Sequence, residues 1–536
     1  MSVPPLPPAP RTVRSKGEWA ARLFVPLLGS TLCLLMTRRG PLIGQDAAAY
    51  LGAANNLLHG RGLTTPFDLS GSQLSPSQVF AFHGAVPLVH FPPLYPLVLA
   101  TLSAPGFDMA NAARWLNAAL LGGTLLVFEL LVARLSTSRL VLPMSAAALL
   151  LAGPAVFFHQ DLLLITTGVA SDPLLLFVFL LGVLLVDHYL EHPTRGLFLG
   201  MVACAALAPC IRYAGIGFVL AASLVLAWWS HPERHRRWSS ALVVLLSGTV
   251  PVGIWSLVVT YVMHGESVRS FAVHPVHDLV QGIVNIGSGW FLPASLADGV
   301  RWTIFVLLLL FTGFAVLRLR GRTDAGPGFE RVAAVAVFAG VYLGVVVITR
   351  EYLDATTPID NRILLPMLPL LYLLVIAGLA SECRNLSWGP LLIGGLCLLL
   401  AATNVRPSLA LINEVPRGTS ANPAVMPTMD AIDRLPAGTL IVSGIPDLIY
   451  TDTGRSSIRV PVRTEGTTDR ANQEFELQLR QLAHLLTDHH GVWVVIPGAA
   501  SDFVPTGATV QDLRPFAHVR VLSVLPGGGT IYAVTA

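Results

Sequence analysis

Residues Ala241 to Val262 read Ala-Leu-Val-Val-Leu-Leu-Ser-Gly-Thr-Val-Pro-Val-Gly-Ile-Trp-Ser-Leu-Val-Val-Thr-Tyr-Val, without one charged side chain. A helix of about 20 apolar residues is what crosses the hydrocarbon core of a bilayer. Charged residues make up only 12% of the whole chain, hydrophobic residues make up 53%, and the mean hydropathy is +0.66. Soluble domains carry about 25% charged residues. The sequence therefore predicts an α-helical protein that crosses a membrane several times.

We predict about eleven membrane helices in the whole chain, and the positions of arginine predict their orientation. With a cytoplasmic N-terminus, the even-numbered loops are rich in arginine, which is the positive-inside pattern, although Arg38 and Arg39 do not fit it. Residues 196–229 could form one kinked helix, but basic residues on both flanks favour two short helices with a turn near Pro209 to Tyr213. The predicted helices cover residues 19–36, 113–133, 140–158, 172–190, 196–211, 213–229, 240–262, 301–317, 332–349, 363–380 and 387–404.

Composition divides the chain into three parts. Residues 1–18 are expected to form a disordered cytoplasmic tail, residues 19–404 a membrane domain with a long outer loop at 37–112, and residues 405–536 an α/β domain outside the membrane. Within the last part the patterns predict two buried strands, an amphipathic helix and a hairpin, at Thr439–Ser443, Val492–Ile496, Asn472–Leu486 and Val519–Val534 respectively.

Several classes of function are disfavoured. The net charge of +3 comes from arginines in short loops, so it does not indicate nucleic-acid binding. The five cysteines lack zinc-like spacing and are expected to be free thiols. His274, His277 and Asp278 lack a nearby third ligand for a metal site. Because the chain also lacks a P-loop and a dinucleotide fingerprint, no cofactor is expected.

The first outer loop is the most informative part of the sequence. It begins Gly44-Gln-Asp-Ala-Ala-Ala-Tyr50, and Asp46 to Leu58 is predicted to form a short surface helix that Gly60 and Gly62 end. Further on, His90-Phe-Pro-Pro-Leu-Tyr-Pro96 leads back into the membrane.

These motifs resemble those of the GT-C superfamily of membrane glycosyltransferases, in the branch of the lipid A aminoarabinose transferase and the protein O-mannosyltransferases. In that branch an acidic residue opens a D-x-x-x-Y…A-x-N-L-x-x-G-x-G stretch, and a P-P-L-Y segment follows. Ser171-Asp-Pro-Leu-Leu175, Ala208 to Gly215 and Asp360 to Pro369 resemble further elements of the branch. The sequence departs from many relatives at Ala47, where they have a second acid, so a metal held by an acidic pair is not expected.

The resemblance implies transfer of a sugar from a polyprenyl phosphate to an acceptor hydroxyl, with inversion, at the outer face of a bacterial plasma membrane. Asp46 is the predicted general base, since a partly desolvated carboxylate gains basicity. Arg212 and Arg362 are predicted to bind the donor phosphate, because a guanidinium group has a permanent charge and a planar fork. Asp172 is a second predicted catalytic carboxylate. The predicted substrate-binding residues are Tyr50, His90, Tyr95 and Tyr213.

Each of these residues also has a structural interpretation. Asp46 and Asp172 could cap helices, and Arg212 could extend toward the membrane surface. Arg362 could simply pair with Asp354 or Asp360. The side chains of Tyr50, His90 and Tyr95 could be interfacial anchors.

Other functions remain open for the whole chain. A transporter or flippase would require acids at mid-membrane, whereas here the acids cluster at the outer edge. A glycan polymerase or ligase would differ mainly in using a lipid diphosphate donor, and a non-catalytic scaffold would not depend on Asp46. The acceptor could be a glycan, a lipid or a secreted protein, and the sequence leaves the oligomeric state open.

Overall fold

The computed structural model describes residues 16–68, 85–137, 159–229, 234–262, 271, 273, 279–320, 326–354, 357–383, 386, 388–414, 425–465, 470–496 and 507–536. Within these ranges the chain is mainly helical, with small β-sheets in the outer loop and near the C-terminus. The helices are α1 (Lys16–Met36), α2 (Gln45–Leu58), α3 (Leu94–Ser103), α4 (Met109–Thr137), α5 (Gln160–Thr167), α6 (Asp172–Glu191), α7 (Arg195–Ile211), α8 (Ile216–Trp229), α9 (Arg234–Leu257, continued by a π-turn at Val258–Val262), α10 (Leu279–Phe291), α11 (Asp298–Arg320), α12 (Gly326–Tyr352), α13 (Met367–Glu382), α14 (Gly389–Glu414), α15 (Met426–Asp433), α16 (Pro446–Thr453), α17 (Phe475–Asp488) and α18 (Val510–Leu513).

Apolar helices form a polytopic bundle, as predicted. Among the described residues, five helices are long and apolar enough to cross a membrane, and six shorter apolar helices accompany them. The predicted helix at 140–158 lies outside the described residues, so the count of eleven stays a prediction. Helices α3, α5 and α10 were not predicted, because each is short and polar residues interrupt the surrounding sequence.

The two short helices at 196–229 are confirmed. Helix α7 ends at Ile211, Arg212 has an extended backbone, and a 3₁₀ turn at Tyr213–Gly215 leads into α8. A Cβ atom on Gly215 would lie 2.2 Å from the carbonyl oxygen of Ala208, so only glycine fits there. This tight turn fixes the position of Arg212.

The C-terminal α/β domain contains a five-stranded sheet. Its strands are β3 (Ile441–Ser443), β4 (Ile458–Arg459), β7 (Val492–Val495), β8 (His518–Val524) and β9 (Thr530–Thr535), in the order β4-β3-β7-β9-β8. β3 is parallel to β4 and β7, and β9 is antiparallel to β7 and β8. The predicted strands, amphipathic helix and hairpin are all present, with bounds shifted by a few residues. Helix α14 continues past residue 404, at which we expected this domain to begin. The other described strands are β1 (Thr64–Thr65), β2 (Val86–Pro87), β5 (Thr464–Glu465) and β6 (Arg470–Ala471).

Helix α6 carries an ionic group at each end. Its 20 residues span about 30 Å, so Asp172 at the first residue and Asp187 near the last lie far apart. Arg331 of α12 lies 3.3 Å from Asp187 and 2.8 Å from Glu191, and Arg134 of α4 pairs with the same two acids. This cluster joins three helices at the end of the bundle opposite Asp172.

Loss of one partner from this cluster should destabilise the bundle. Arg331 is buried, so Arg331→Ala leaves Asp187 short of positive charge in a poorly solvated place, and we expect a loss of about 3–5 kcal/mol. Thermal unfolding in one detergent measures the change. Arg318→Ala is the control, since the Arg318–Glu382 pair is largely exposed and should contribute at most about 1 kcal/mol. Equal effects of the two substitutions would contradict the prediction.

Candidate active site

Asp46 lies in the first turn of α2 and forms an ion pair with a distant segment. The N-cap residue of the helix is Gly44, and no side chain caps the helix there. Instead, Oδ2 of Asp46 accepts a hydrogen bond from Nη2 of Arg362 at 2.5 Å. The carboxylate is 29% exposed, so it can be approached from outside the protein. The capping interpretation of Asp46 is therefore wrong.

Asp172 is the first residue of α6 and joins both arginines. Its Oδ1 accepts from Nη1 of Arg212 at 2.5 Å, and its Oδ2 lies 3.4 Å from Nη2 of Arg362. The side chain is only 3% exposed. Ser171 occupies the N-cap position, and no side chain caps this helix either. Asp172 thus acts as the buried anion that holds the two guanidinium groups next to each other.

The segment before α13 directs Arg362 into this cluster. Oδ1 of Asp360 accepts from the backbone amides of Arg362 and Ile363, at 3.0 and 2.9 Å. An aspartate that binds the amides of the next residues fixes a local turn. Asp360 therefore holds the backbone of Arg362, while the guanidinium group reaches Asp46 and Asp172. The side chain of Arg362 therefore pairs with Asp46 and Asp172 and not with Asp360, which was one of the structural alternatives.

Two buried tyrosines fix the position of the helix that carries Asp46. The hydroxyl of Tyr50 shares a hydrogen bond with Oγ of Ser171 at 2.9 Å, which links α2 to the start of α6. The ring of Tyr95 packs edge-on against that of Tyr50, with centroids 4.9 Å apart. Both side chains are fully buried, so they are not interfacial anchors. In this structure they fix the position of α2 relative to Asp172.

His90 and Tyr213, the other two predicted substrate-binding residues, are half-buried. The His90 ring lies 6.4 Å from the ring of Phe91. His90 is also close enough to Asp46 for a positive charge on the imidazole to lower the pKa of the carboxyl group. Tyr213 directly follows Arg212 in the 3₁₀ turn. His90 is thus a neighbour of Asp46, whereas Tyr213 is placed only by its position next to Arg212 in the chain.

Opposite charges determine the protonation of the cluster. Burial alone raises the pKa of Asp46, but the nearby Arg362 and Arg212 outweigh it, and the net pKa lies below that of an ordinary carboxyl group. Burial lowers the pKa of Arg362, but the negative charges of Asp172 and Asp46 raise it by more. The net pKa of Arg362 therefore lies above its ordinary value. The ionised form of Asp46 and the charged forms of Arg212 and Arg362 therefore stabilise one another.

Sequence reasoning missed a second polar group beside the site. Burial lowers the pKa of His159 to about 4, and Nδ1 of its ring lies 3.5 Å from Oδ2 of Asp161. Burial also raises the pKa of Asp161 to about 6; Trp290 and Asn361 partly oppose this rise, and Asp360 adds to it. Asp161 is thus a neighbour of the Asp360–Arg362 segment. The available signal was the polar run His159-Gln-Asp161 between two apolar stretches.

A metal site finds no support in the described part of the chain. No three His, Cys, Asp or Glu side chains there lie close enough together to hold an ion. His274, His277 and Asp278, the weak metal candidates of the sequence, lie outside the described residues.

Solved structures share this fold. The structure of ArnT from Cupriavidus metallidurans bound to undecaprenyl phosphate matches with a TM-score of 0.58 and 14% identity, over 97% of this chain and 98% of that chain. The archaeal oligosaccharyltransferase AglB from Archaeoglobus fulgidus, in complex with an inhibitory peptide and a dolichol-phosphate, matches with a TM-score of 0.52 and 11% identity, over 90% of this chain and 70% of that chain. No protein-family model matches the sequence, and no curated protein does. The chain therefore shares the overall fold of these two structures.

Proposed function

We propose that this protein is a glycosyltransferase that moves a sugar from a polyprenyl phosphate to an acceptor hydroxyl, with inversion, at the outer face of a bacterial plasma membrane. One observation carries the proposal: Asp46, Asp172, Arg212 and Arg362 come from four separate segments and meet in one cluster. The two solved structures of the same fold hold undecaprenyl phosphate and dolichol phosphate, which supports a lipid phosphate as the ligand.

The arginines are the proposed phosphate site. Arg212 and Arg362 both contact Asp172, so their guanidinium groups lie side by side and can bind neighbouring phosphate oxygens. As the bond between the sugar and the phosphate breaks, negative charge builds up on these oxygens. A fixed donor at that position contributes about 3–4 kcal/mol to the transition state. Since the leaving group is a monophosphate, no divalent cation is needed.

The two carboxylates are suited to different roles. Asp172 is buried and held by both arginines, so we assign it to positioning them. Asp46 is partly exposed, and we assign it to removing the proton of the acceptor hydroxyl. The acceptor oxygen then bonds to the anomeric carbon from the face opposite the phosphate. The polyprenyl phosphate leaves with the electron pair of the broken bond, and the proton stays on Asp46.

Donor binding should also activate the base. In the resting structure Arg362 holds the pKa of Asp46 low, which makes it a weak base. A donor phosphate that accepts hydrogen bonds from Arg362 withdraws this positive charge from Asp46. Burial then dominates, and the pKa of Asp46 rises toward the value that a general base requires.

This coupling predicts two different acid limbs in the pH profile. The profile of kcat/KM reports the free enzyme, in which the pKa of Asp46 is below its ordinary value of about 3.9, whereas kcat reports the donor complex. We expect activity on the acid side to fall at a higher pH for kcat than for kcat/KM. Steady-state rates measured from pH 3 to 8 compare the two. Identical limbs, or the reverse order, would exclude activation of Asp46 by the donor.

Cleavage of defined donors tests the proposed reaction. Purified protein in nanodiscs would be incubated with radiolabelled undecaprenyl-phosphate pentoses and hexoses, and with the corresponding diphosphates. We expect release of undecaprenyl phosphate from at least one monophosphate donor. Cleavage of diphosphate donors alone would instead indicate a glycan ligase. Movement of an intact donor across a liposome membrane, without cleavage, would indicate a flippase.

A further inference from the structure

Tyr342 of helix α12 holds the segment that carries Arg362. Its hydroxyl donates a hydrogen bond to the backbone carbonyl of Ile363, the residue after Arg362, at 2.7 Å. Tyr342 is only 1% exposed, and Ile363 is also buried. Loss of a hydrogen bond between buried groups is costly, because water does not replace the lost partner. Asp360 accepts hydrogen bonds from the amides of Arg362 and Ile363, so the two contacts together fix the backbone at Arg362.

The same tyrosine lies against the helix that follows Arg212. Gly217 is the second residue of α8, five positions after Arg212. A Cβ atom on Gly217 would lie 2.9 Å from Cδ2 and 3.2 Å from Cα of Tyr342, so glycine lets α12 approach α8 closely. Because protein interiors are closely packed, the position of Tyr342 also limits the position of the start of α8.

Tyr342 also contacts α6, the helix that begins at Asp172. The ring of Phe179 packs edge-on against the ring of Tyr342, with centroids 5.4 Å apart. Phe179 lies seven residues, or about two turns, after Asp172 and therefore on the same face of α6. One side chain thus touches three segments, and each of them carries or adjoins one charged residue of the cluster, namely Asp172, Arg212 or Arg362.

We propose that Tyr342 is a positioning residue, which sets the distance between Arg212 and Arg362 for binding of the donor phosphate. The two guanidinium groups contact different oxygens of Asp172, at 2.5 and 3.4 Å, so their separation suits a ligand with two neighbouring oxygens. A hydrogen bond weakens steeply when its donor is misaligned. Movement of the Arg362 segment would therefore weaken the binding of a phosphate that needs both arginines. This inference rests on the proposed function and extends it to a residue that does not itself touch the ligand.

Removal of one hydroxyl group tests this role. Tyr342→Phe keeps the ring and its packing, but the Ile363 carbonyl loses this donor in a buried place, so the Arg362 segment can shift. We expect the Kd for undecaprenyl phosphate to rise about threefold to tenfold, which corresponds to the loss of one ordinary hydrogen bond. Titration of the full chain in nanodiscs measures the Kd, and thermal unfolding of the same samples measures the stability.

Tyr372→Phe is the matched control. Tyr372 is 2% exposed, and its hydroxyl donates to the backbone carbonyl of Trp290 at 2.8 Å. This bond has nearly the same length and burial as that of Tyr342, but Trp290 lies in α10, which carries none of the four charged residues. Both substitutions should lower the thermal stability to a similar extent, whereas only Tyr342→Phe should weaken the binding of undecaprenyl phosphate.

A double variant separates positioning from a general structural defect. If Tyr342 acts through Arg362, Tyr342→Phe should not raise the Kd further in a chain that already carries Arg362→Ala, because the effects of coupled residues do not add. Arg212 remains in that chain, so the weaker binding can still be titrated. A further loss of affinity in the double variant, or equal Kd values for Tyr342→Phe and Tyr372→Phe, would overturn the role of Tyr342. Failure of the wild-type protein to bind undecaprenyl phosphate would instead overturn the proposed phosphate site, on which the inference rests.

Discussion

Asp46→Asn is expected to lower kcat by about 10²–10⁴-fold, the range that a general base contributes. The amide keeps the size of the carboxylate but cannot take up the acceptor proton. At the same time, Arg362 loses the anion that it contacts at 2.5 Å, so its guanidinium group becomes more available to a phosphate. We therefore expect undecaprenyl phosphate to bind as tightly as in the wild type, or more tightly, while turnover nearly stops.

The matched control for Asp46→Asn is Asp108→Asn. Asp108 is exposed, and its Oδ1 accepts a local hydrogen bond from the Asn111 amide, which an asparagine can also accept. The kcat of Asp108→Asn and its affinity for undecaprenyl phosphate should equal those of the wild type. Initial rates of donor cleavage measure the change in kcat, and titration with undecaprenyl phosphate measures the change in affinity. Retained turnover in Asp46→Asn, with unchanged binding, would remove Asp46 from the mechanism.

Arg212→Ala should impair both folding stability and donor binding. Asp172 is 3% exposed and, among the described residues, would keep Arg362, at 3.4 Å, as its one ion-pair partner. Loss of one member of a buried ion pair costs about 3–5 kcal/mol, because the remaining charge is poorly solvated. Thermal unfolding in a fixed detergent should show this loss, and titration with undecaprenyl phosphate should show weaker binding.

The double variant Asp172→Asn/Arg212→Ala separates these two effects. Without the buried carboxylate, the remaining cost of an unpaired charge disappears, so we expect stability to recover in large part. Phosphate binding should not recover, since the guanidinium group is still absent. Arg463→Ala, at an exposed pair with Asp512, is the control and should change neither property. If the double variant stays as unstable as Arg212→Ala, the contribution of Arg212 to stability is packing rather than charge.

The sequence predicted the membrane helices because their cause is local. A run of about 20 apolar residues must avoid water, and arginines beside it favour one side of the membrane. The chain reversal at Arg212 was also predictable, since basic residues on both flanks favour two short helices there. Short helices such as α5 and α10 escaped prediction because polar residues interrupt their apolar pattern and neither is long enough to cross a membrane alone.

The motifs also singled out Asp46, Asp172, Arg212 and Arg362, but they did not say which charges meet. Each aspartate precedes a helical run, where capping is an equally good local explanation. Only the tertiary structure showed that both aspartates bind arginines instead, in one case across 316 positions of sequence separation. The nearness of Asp161 to Asp360 was likewise invisible in the sequence.

The sequence by itself determined which segments enter the membrane and which side chains can carry charge at its edge. These properties depend on the hydrophobicity and ionisation of neighbouring residues, which can be read along the chain. The tertiary structure alone decided that Arg362 bridges Asp46 and Asp172, and that α16 of the C-terminal domain lies against the Asp46 helix. Such contacts join residues hundreds of positions apart, because the packing of whole helices and domains, rather than any local preference, brings them together.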